Sequence, residues 1–341
     1  MEMTYDNLDK QTNRQTDKQT NRQTYIDVAK GILIICVVIG HAINFEYLPT
    51  AVIKTIICTF HIPGFFIISG ILMKREKLKK QSLRNFAKHK IKRLLLPYLV
   101  FEIIGAILQM VLYGIDKVTP IDVLYGILTL HCYNGVDWFL PTLFFAEIIF
   151  FILLKKFKTR QMFLIAICTF ILAYFVCDWN YGIAVIRRIL VAFCFVVIGC
   201  TFKQLFVKKT RFCMLLAFVG LVGISYVNGV VDLSARTFNN PILYLIGGMV
   251  GTYFVLSFSQ YFTGILEKCL AKAGRESLVI MGTHMYIILI LNEICGNMYS
   301  INMQLILLTI IIIYEIILLA IYTAFSKRYQ NRKIMKTDKN L

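Results

Sequence analysis

From Tyr25 onward the chain is divided into ten apolar runs of about twenty residues, approximately 26–45, 50–73, 94–113, 138–155, 161–178, 184–203, 212–230, 241–262, 277–296 and 303–325. A run of that length suits a helix crossing the roughly 30 Å hydrocarbon core of a bilayer. In lipid each backbone polar group must be satisfied within its own segment, which leaves the helix as the natural form for such runs. The expected fold class is all-α, a polytopic membrane helix bundle of about ten transmembrane helices. No soluble domain remains once the runs are removed. Composition agrees: 58% of the 341 residues are hydrophobic and 16% charged, against roughly 25% charged in soluble domains.

The net charge of +18 would suggest nucleic acid in a soluble chain. Here the Lys and Arg residues gather in the loops at 74–93, 155–160, 203–211, 263–275 and 327–339. These alternate with charge-poor loops at 46–49, 114–137, 179–183, 231–240 and 297–302. That is the positive-inside pattern, which puts the basic loops and both termini in the cytoplasm. Membrane lipids are expected partners and nucleic acid is not. The first 25 residues are polar and the first apolar run is long enough to span, so no cleavable signal peptide is read. The expected localisation is the cell membrane, multi-pass, of the bacterial inner or plasma type. Ten cysteines are scattered without Cys-x-x-Cys or Cys/His ligand spacing, so they read as small hydrophobes and no metal site is expected.

Residues 1–24 read as a disordered basic tail. The repeat KQTN-RQTD-KQTN-RQTY at 10–25 sets Lys10, Arg14, Lys18 and Arg22 four apart, where on a helix they would repel, and offers nothing apolar to bury. Residues 25–326 form the transmembrane domain and 327–341 a basic cytoplasmic tail.

Within the first run, Lys30 and His41 lie eleven residues apart, about three helical turns and roughly 16 Å along one face. Asp27 and Asn44 extend the stripe, and Asp27 can pair with Lys30. Ionisable groups at membrane depth are costly and mark pathways or reaction sites. The structural alternative is a Lys snorkelling to the interface and a His bonded to a neighbouring helix. In the second run His61 precedes Pro63, which removes a backbone donor and is expected to bend the helix. Lys90 and Arg93 end the basic stretch before LLLPYLVF; they suit a polyphosphate or serve only to set topology. Trp138 opens the fourth run, as a site residue or an interfacial anchor. Glu102, Glu147, Glu293 and Glu315 are intramembrane carboxylates. Arg187 and Arg188 begin the sixth run near the outer face, placed to meet an anionic group. His284 has no partner identifiable from sequence.

The segments IDVAKGILIICVVIGHA, FHIPGFFIISGILMKR, KIKRLLLPYLVF, WFLPTLFFAEIIF and AGRESLVIMGTH, in that order, resemble the family-3 integral membrane acyltransferases. Within that family they resemble the branch containing fucose 4-O-acetylase-like sugar O-acetyltransferases. The resemblance implies some ten membrane helices moving an acetyl group from cytoplasmic acetyl-CoA to a hydroxyl of a cell-surface or lipid-linked glycan. The family's basic residue, ten residues, then histidine falls on Lys30 and His41, and its basic pair on Lys90 and Arg93. Where members carry Glu five residues past the Trp, this chain has Leu143. The expected catalytic residues are His41 and His61, with His41 as a general base or a transient acetyl carrier. Lys30, Lys90 and Arg93 are expected to hold the acyl-CoA, and Trp138, Glu147 and Arg188 to face the acceptor. The pantetheine arm, of order 15–20 Å, matches the roughly 16 Å between Lys30 and His41. The alternative function is a transporter or flippase for a lipid-linked sugar, but no internal repeat is visible. A membrane scaffold or sensor without catalysis leaves the Lys30/His41 stripe unexplained.

Overall fold

The computed structural model describes residues 24–43, 47–115, 117–130, 133–175, 181–208, 210–233, 239–295 and 300–338, with the side chains of 181–184 and 326–338 left undescribed. The repeat tail expected over 1–24 therefore lies outside the described residues except for its last one.

The helices are α1 (Thr24–Ala42), α2 (Leu48–Leu72), α3 (Arg75–Lys80), α4 (Leu83–Lys90), α5 (Leu96–Tyr113), α6 (Pro120–Thr129), α7 (Phe139–Lys156), α8 (Thr159–Phe175), α9 (Tyr181–Thr201), α10 (Lys203–Val207), α11 (Arg211–Asn228), α12 (Pro241–Phe258), α13 (Gly264–Arg275), α14 (Ser277–Cys295) and α15 (Ile301–Asp338). A π-helical segment, Ile91–Leu95, joins α4 to α5. Among the described residues, each of the ten apolar runs is mainly helical. Among the described residues seven helices, α1, α2, Leu83–Tyr113, α11, Pro241–Tyr261, α14 and Ile301–Phe325, are long and apolar enough to cross a membrane. Of the rest, α7 carries Glu147, Lys155 and Lys156, α8 has 17 residues, and α9 carries Arg187 and Arg188.

Parts of the basic loops are helical as well. Ser82 caps α4 by accepting from the Asn85 amide at 3.3 Å, and α13 fills the stretch 264–275. The helix α15 continues past 326/327, where the basic tail is expected to begin. Its 38 residues run unbroken to Asp338, about 57 Å, longer than a bilayer core.

α2 is the central helix, packed against α9, α11 and α12, and it continues as helix through Pro63. Gly70 and Gly199 let α2 and α9 approach to backbone contact: a Cβ on Gly199 would lie 2.0 Å from the Ile67 carbonyl oxygen. Gly31 and Gly274 do the same for α1 and α13, where a Cβ on Gly274 would lie 1.7 Å from the Asp27 carbonyl oxygen. Helices in lipid associate through such close packing, because burying apolar surface gains nothing there. Polar groups add links between helices, as Ser225 on α11 donates to Thr59 on α2 at 3.0 Å, both buried.

Candidate active site

The crossing of α13 over α1, the turn from α2 into α3, and the π-helical segment surround one elongated cavity of about 950 Å³. That size lies at the upper end of small-molecule sites, roughly 300–1,000 Å³. Lys30, His41, His61, Lys90, Arg93, Trp138 and Glu147 all line it. Seven of the eight residues singled out by sequence thus meet in one space. The eighth, Arg188, is buried behind Trp138, its guanidinium 5.0 Å from the ring centre.

At one end the walls are basic: Lys74, Lys77 and Lys80 after α2, with Lys90 and Arg93 from the α4–α5 junction. The π segment widens one helical turn, with the Leu96 amide bonding back to the Ile91 carbonyl, and such bulges re-aim side chains at functional sites. Here the helix already starts at Leu83, so Lys90 and Arg93 lie within one continuous helix and face the same cavity. Lys30 Nζ lies 2.7 Å from Asp27 Oδ1, and Arg275 approaches the other oxygen of that carboxylate at 3.8 Å. Lys90 Nζ lies 2.6 Å from Glu147 Oε2, while Ser69 donates to Oε1 at 2.5 Å. Glu147 is 2% exposed, so this is a buried ion pair. Arg93 has no carboxylate partner among the described residues, and with Lys74, Lys77 and Lys80 it leaves this end with cations in excess. Leu143 and Glu147 are one turn apart on α7 and both line the cavity. A carboxylate at 147 therefore reaches the same space that position 143 faces.

At the other end the walls carry histidines. His41, at the end of α1, is exposed to the cavity. Its ring centre is 5.4 Å from that of His284 on α14, with the planes tilted 49°. The Nδ1 of His284 lies 2.8 Å from the Ile280 carbonyl, and the Nδ1 of His61 lies 2.7 Å from the Ile57 carbonyl. A carbonyl only accepts, so in both rings Nδ1 carries the proton and Nε2 keeps its lone pair. His41 lies within electrostatic range of His284, His61 and Lys54. Lys54 donates to the Ile43 carbonyl at 2.9 Å, and Asp232 and Tyr244 complete this end. Among the described residues, no three ligating side chains converge as a metal site.

The turn before α7 braces this end. Asn134 donates to Asp137 at 2.9 Å and to the Gly282 carbonyl at 2.8 Å, two residues before His284. Burial pushes the Asp137 carboxyl well above the usual carboxylate range, against the opposing pull of the Asn134 hydrogen bond.

Of the other intramembrane carboxylates, Glu102 is buried and accepts from the Tyr133 amide at 2.8 Å, and Glu315 accepts from Thr283 at 3.0 Å. Glu293 is exposed. None of the three lines the cavity. Sequence reasoning did not place Lys54, Asp232 or Tyr244 in the site, and gave His284 no partner. His284 did carry a signal, because an imidazole inside an apolar run is as costly there as His41.

A bundle of apolar helices enclosing a cavity with one basic and one histidine-lined end points to a multi-pass membrane protein. The acyltransferase domain model of family 3 matches residues 23–325, and the chain belongs to that family of acyltransferases. No curated protein and no solved structure gives a match. The family supports an enzyme that transfers acyl groups, and nothing supports the transporter alternative.

Proposed function

We propose that the protein moves an acetyl group from cytoplasmic acetyl-CoA to a hydroxyl of a cell-surface or lipid-linked glycan, in the manner of the fucose 4-O-acetylase-like branch. The observation that carries this reading is the single cavity joining Lys30, Lys90 and Arg93 to His41. In this reading ten helices cross the membrane with both termini in the cytoplasm, so the basic end opens to the cytoplasm. The phosphates of the donor settle among its surplus cations, with Arg93 offering a fork of donors. Lys30 and Lys90 already hold carboxylates, so they contribute to the field there more than as free ligands. The pantetheine arm then runs along α1, whose rise from Lys30 to His41 is roughly 16 Å.

At the histidine end His41 takes the proton of the acceptor hydroxyl as its oxygen attacks the thioester carbonyl. The carbon–sulfur bond breaks, and the departing thiolate recovers that proton. His61, with its Nε2 lone pair in the same cavity, is a second proton acceptor beside the acceptor sugar. Trp138, backed by Arg188, offers an aromatic wall to that sugar. Glu147 holds Lys90 in place and does not itself meet the acceptor.

The test is mass spectrometry of surface glycans from cells making the wild-type protein, the His41→Ala protein, or neither. Glycan acetylation present only with the wild type supports the reading. A His41→Ala protein that inserts normally and acetylates fully overturns it.

A further inference from the structure

His284 stands directly behind His41 and lines no part of the cavity. It is fully buried at 0% exposure. Its Nδ1 is committed to the Ile280 carbonyl at 2.8 Å, which fixes the proton on that nitrogen and the lone pair on the other. Its Nε2 is buried and has no hydrogen-bond partner among the described residues. An orphaned acceptor of this kind is rare, because burial strips it of water and offers nothing in return. A side chain needed for packing alone would be better apolar.

The neighbour that can satisfy it is His41, the one ring in contact among the described residues, with centres 5.4 Å apart. An N–H···N hydrogen bond of about 3 Å between two imidazoles places their centres about 5 Å apart. Centres 5.4 Å apart are close enough for such a bond once the two rings are aligned. His41 has no competing hydrogen bond among the described residues.

We propose that His284 is a positioning residue for His41: its Nε2 accepts the N–H of His41, which fixes the His41 tautomer and leaves the opposite nitrogen with its lone pair toward the cavity. This rests on the reading above, in which His41 takes the hydroxyl proton. The proton bound to the His41–His284 contact stays there throughout. Only the hydroxyl proton moves, first to the cavity-facing nitrogen of His41 and then to the thiolate, so both rings end neutral. A neutral imidazole as the orienting partner suits membrane depth, where a carboxylate would bring an unpaired charge. The Asn134 bond to Gly282 holds α14 in register for this contact.

The test uses the full-length protein in proteoliposomes, with radiolabelled acetyl-CoA and the glycan fraction of the producing cells as acceptor. His284→Phe keeps a ring of similar volume and removes the acceptor, while His284→Gln keeps an acceptor near the Nε2 position. His284→Phe is expected to lower kcat about 100-fold with KM for acetyl-CoA unchanged, as for loss of a tautomer-fixing partner. His284→Gln is expected to keep at least about a third of wild-type turnover, and His41→Ala/His284→Phe to be no slower than His41→Ala alone. Undiminished kcat in His284→Phe overturns the inference, as does an equal loss in both His284 variants, which is the mark of packing. Full turnover by His41→Ala would instead break the reading of His41 itself, whatever His284 does. Stabilisation of each variant by acetyl-CoA, equal to that of the wild type, shows that the fold is intact.

Discussion

The two ends of the cavity are built on different principles. The basic end is made of long, flexible cations, several of them in excess over the nearby carboxylates. The histidine end is made of short, rigid rings on long helices, with His61 and His284 each bonded to a carbonyl and His41 beside the His284 ring. An end of the first kind can gather a multiply charged ligand but cannot fix an atom to a fraction of an ångström. An end of the second kind can fix an atom but would repel nothing and attract little. In the proposed function, binding and chemistry are separated by about three turns of one helix, with α1 as the ruler between them.

The separation can be broken variant by variant. His41→Ala has the largest expected effect: acetyl transfer falls about 1,000-fold, within the range for loss of a general base, while acetyl-CoA binding, followed by thermal shift, is kept. Loss of both together would erase the division between the ends. Lys90→Met comes next, because it strands Glu147 as a buried charge, at a cost of about 3 kcal/mol in stability. The double change Lys90→Met/Glu147→Met is expected to recover most of that loss in thermal unfolding. If it does not, the pair is not the buried unit described.

Arg93→Ala acts on binding alone. KM for acetyl-CoA is expected to rise about tenfold with kcat unchanged, as when an interaction contributes equally to ground and transition states. A fall in kcat would place Arg93 in the chemistry. Asp137→Asn has the smallest effect, and its sign follows from burial. The carboxyl titrates higher in the folded state than the usual value near 4. Its stability contribution is therefore full below that value and is lost as pH rises through the folded pKa. Asparagine keeps an acceptor for Asn134 and has no proton to lose. The variant is expected to gain about 1 kcal/mol, roughly 2 °C in melting temperature, at pH 8 relative to wild type and nothing at pH 4. A gain that is the same at both values would rule out the titration.

The basic end and α1 were legible in the sequence, because the relations that matter there are local. Lys30 and His41 share a helix, so counting residues places them. Lys90 and Arg93 required only that the helix begin by Leu83, which it does. What stayed hidden was tertiary. The contact of His41 with His284 joins α1 to α14, and that of Lys90 with Glu147 joins α4 to α7; no spacing within a single run encodes either. Glu147 shows the difference well. Read along the chain it sits four residues from the expected position, yet on a helix four residues are one turn and the face is the same. The length of α15 was hidden for another reason. A shift from apolar to basic residues marks where a span leaves the lipid, but lysine and arginine are good helix formers and do not stop the helix.

The central claim is that donor binding belongs to the basic end and turnover to His41. It is tested most directly by titrating the purified protein with acetyl-CoA and following its melting temperature in wild type, His41→Ala and Arg93→Ala/Lys77→Ala. The account predicts a saturable rise for wild type and His41→Ala alike, equivalent to about 2.7 kcal/mol at a hundredfold excess over Kd. It predicts a weakened rise for Arg93→Ala/Lys77→Ala, and none with free acetate. An acetyl-CoA response that disappears in His41→Ala and survives in Arg93→Ala/Lys77→Ala would contradict it.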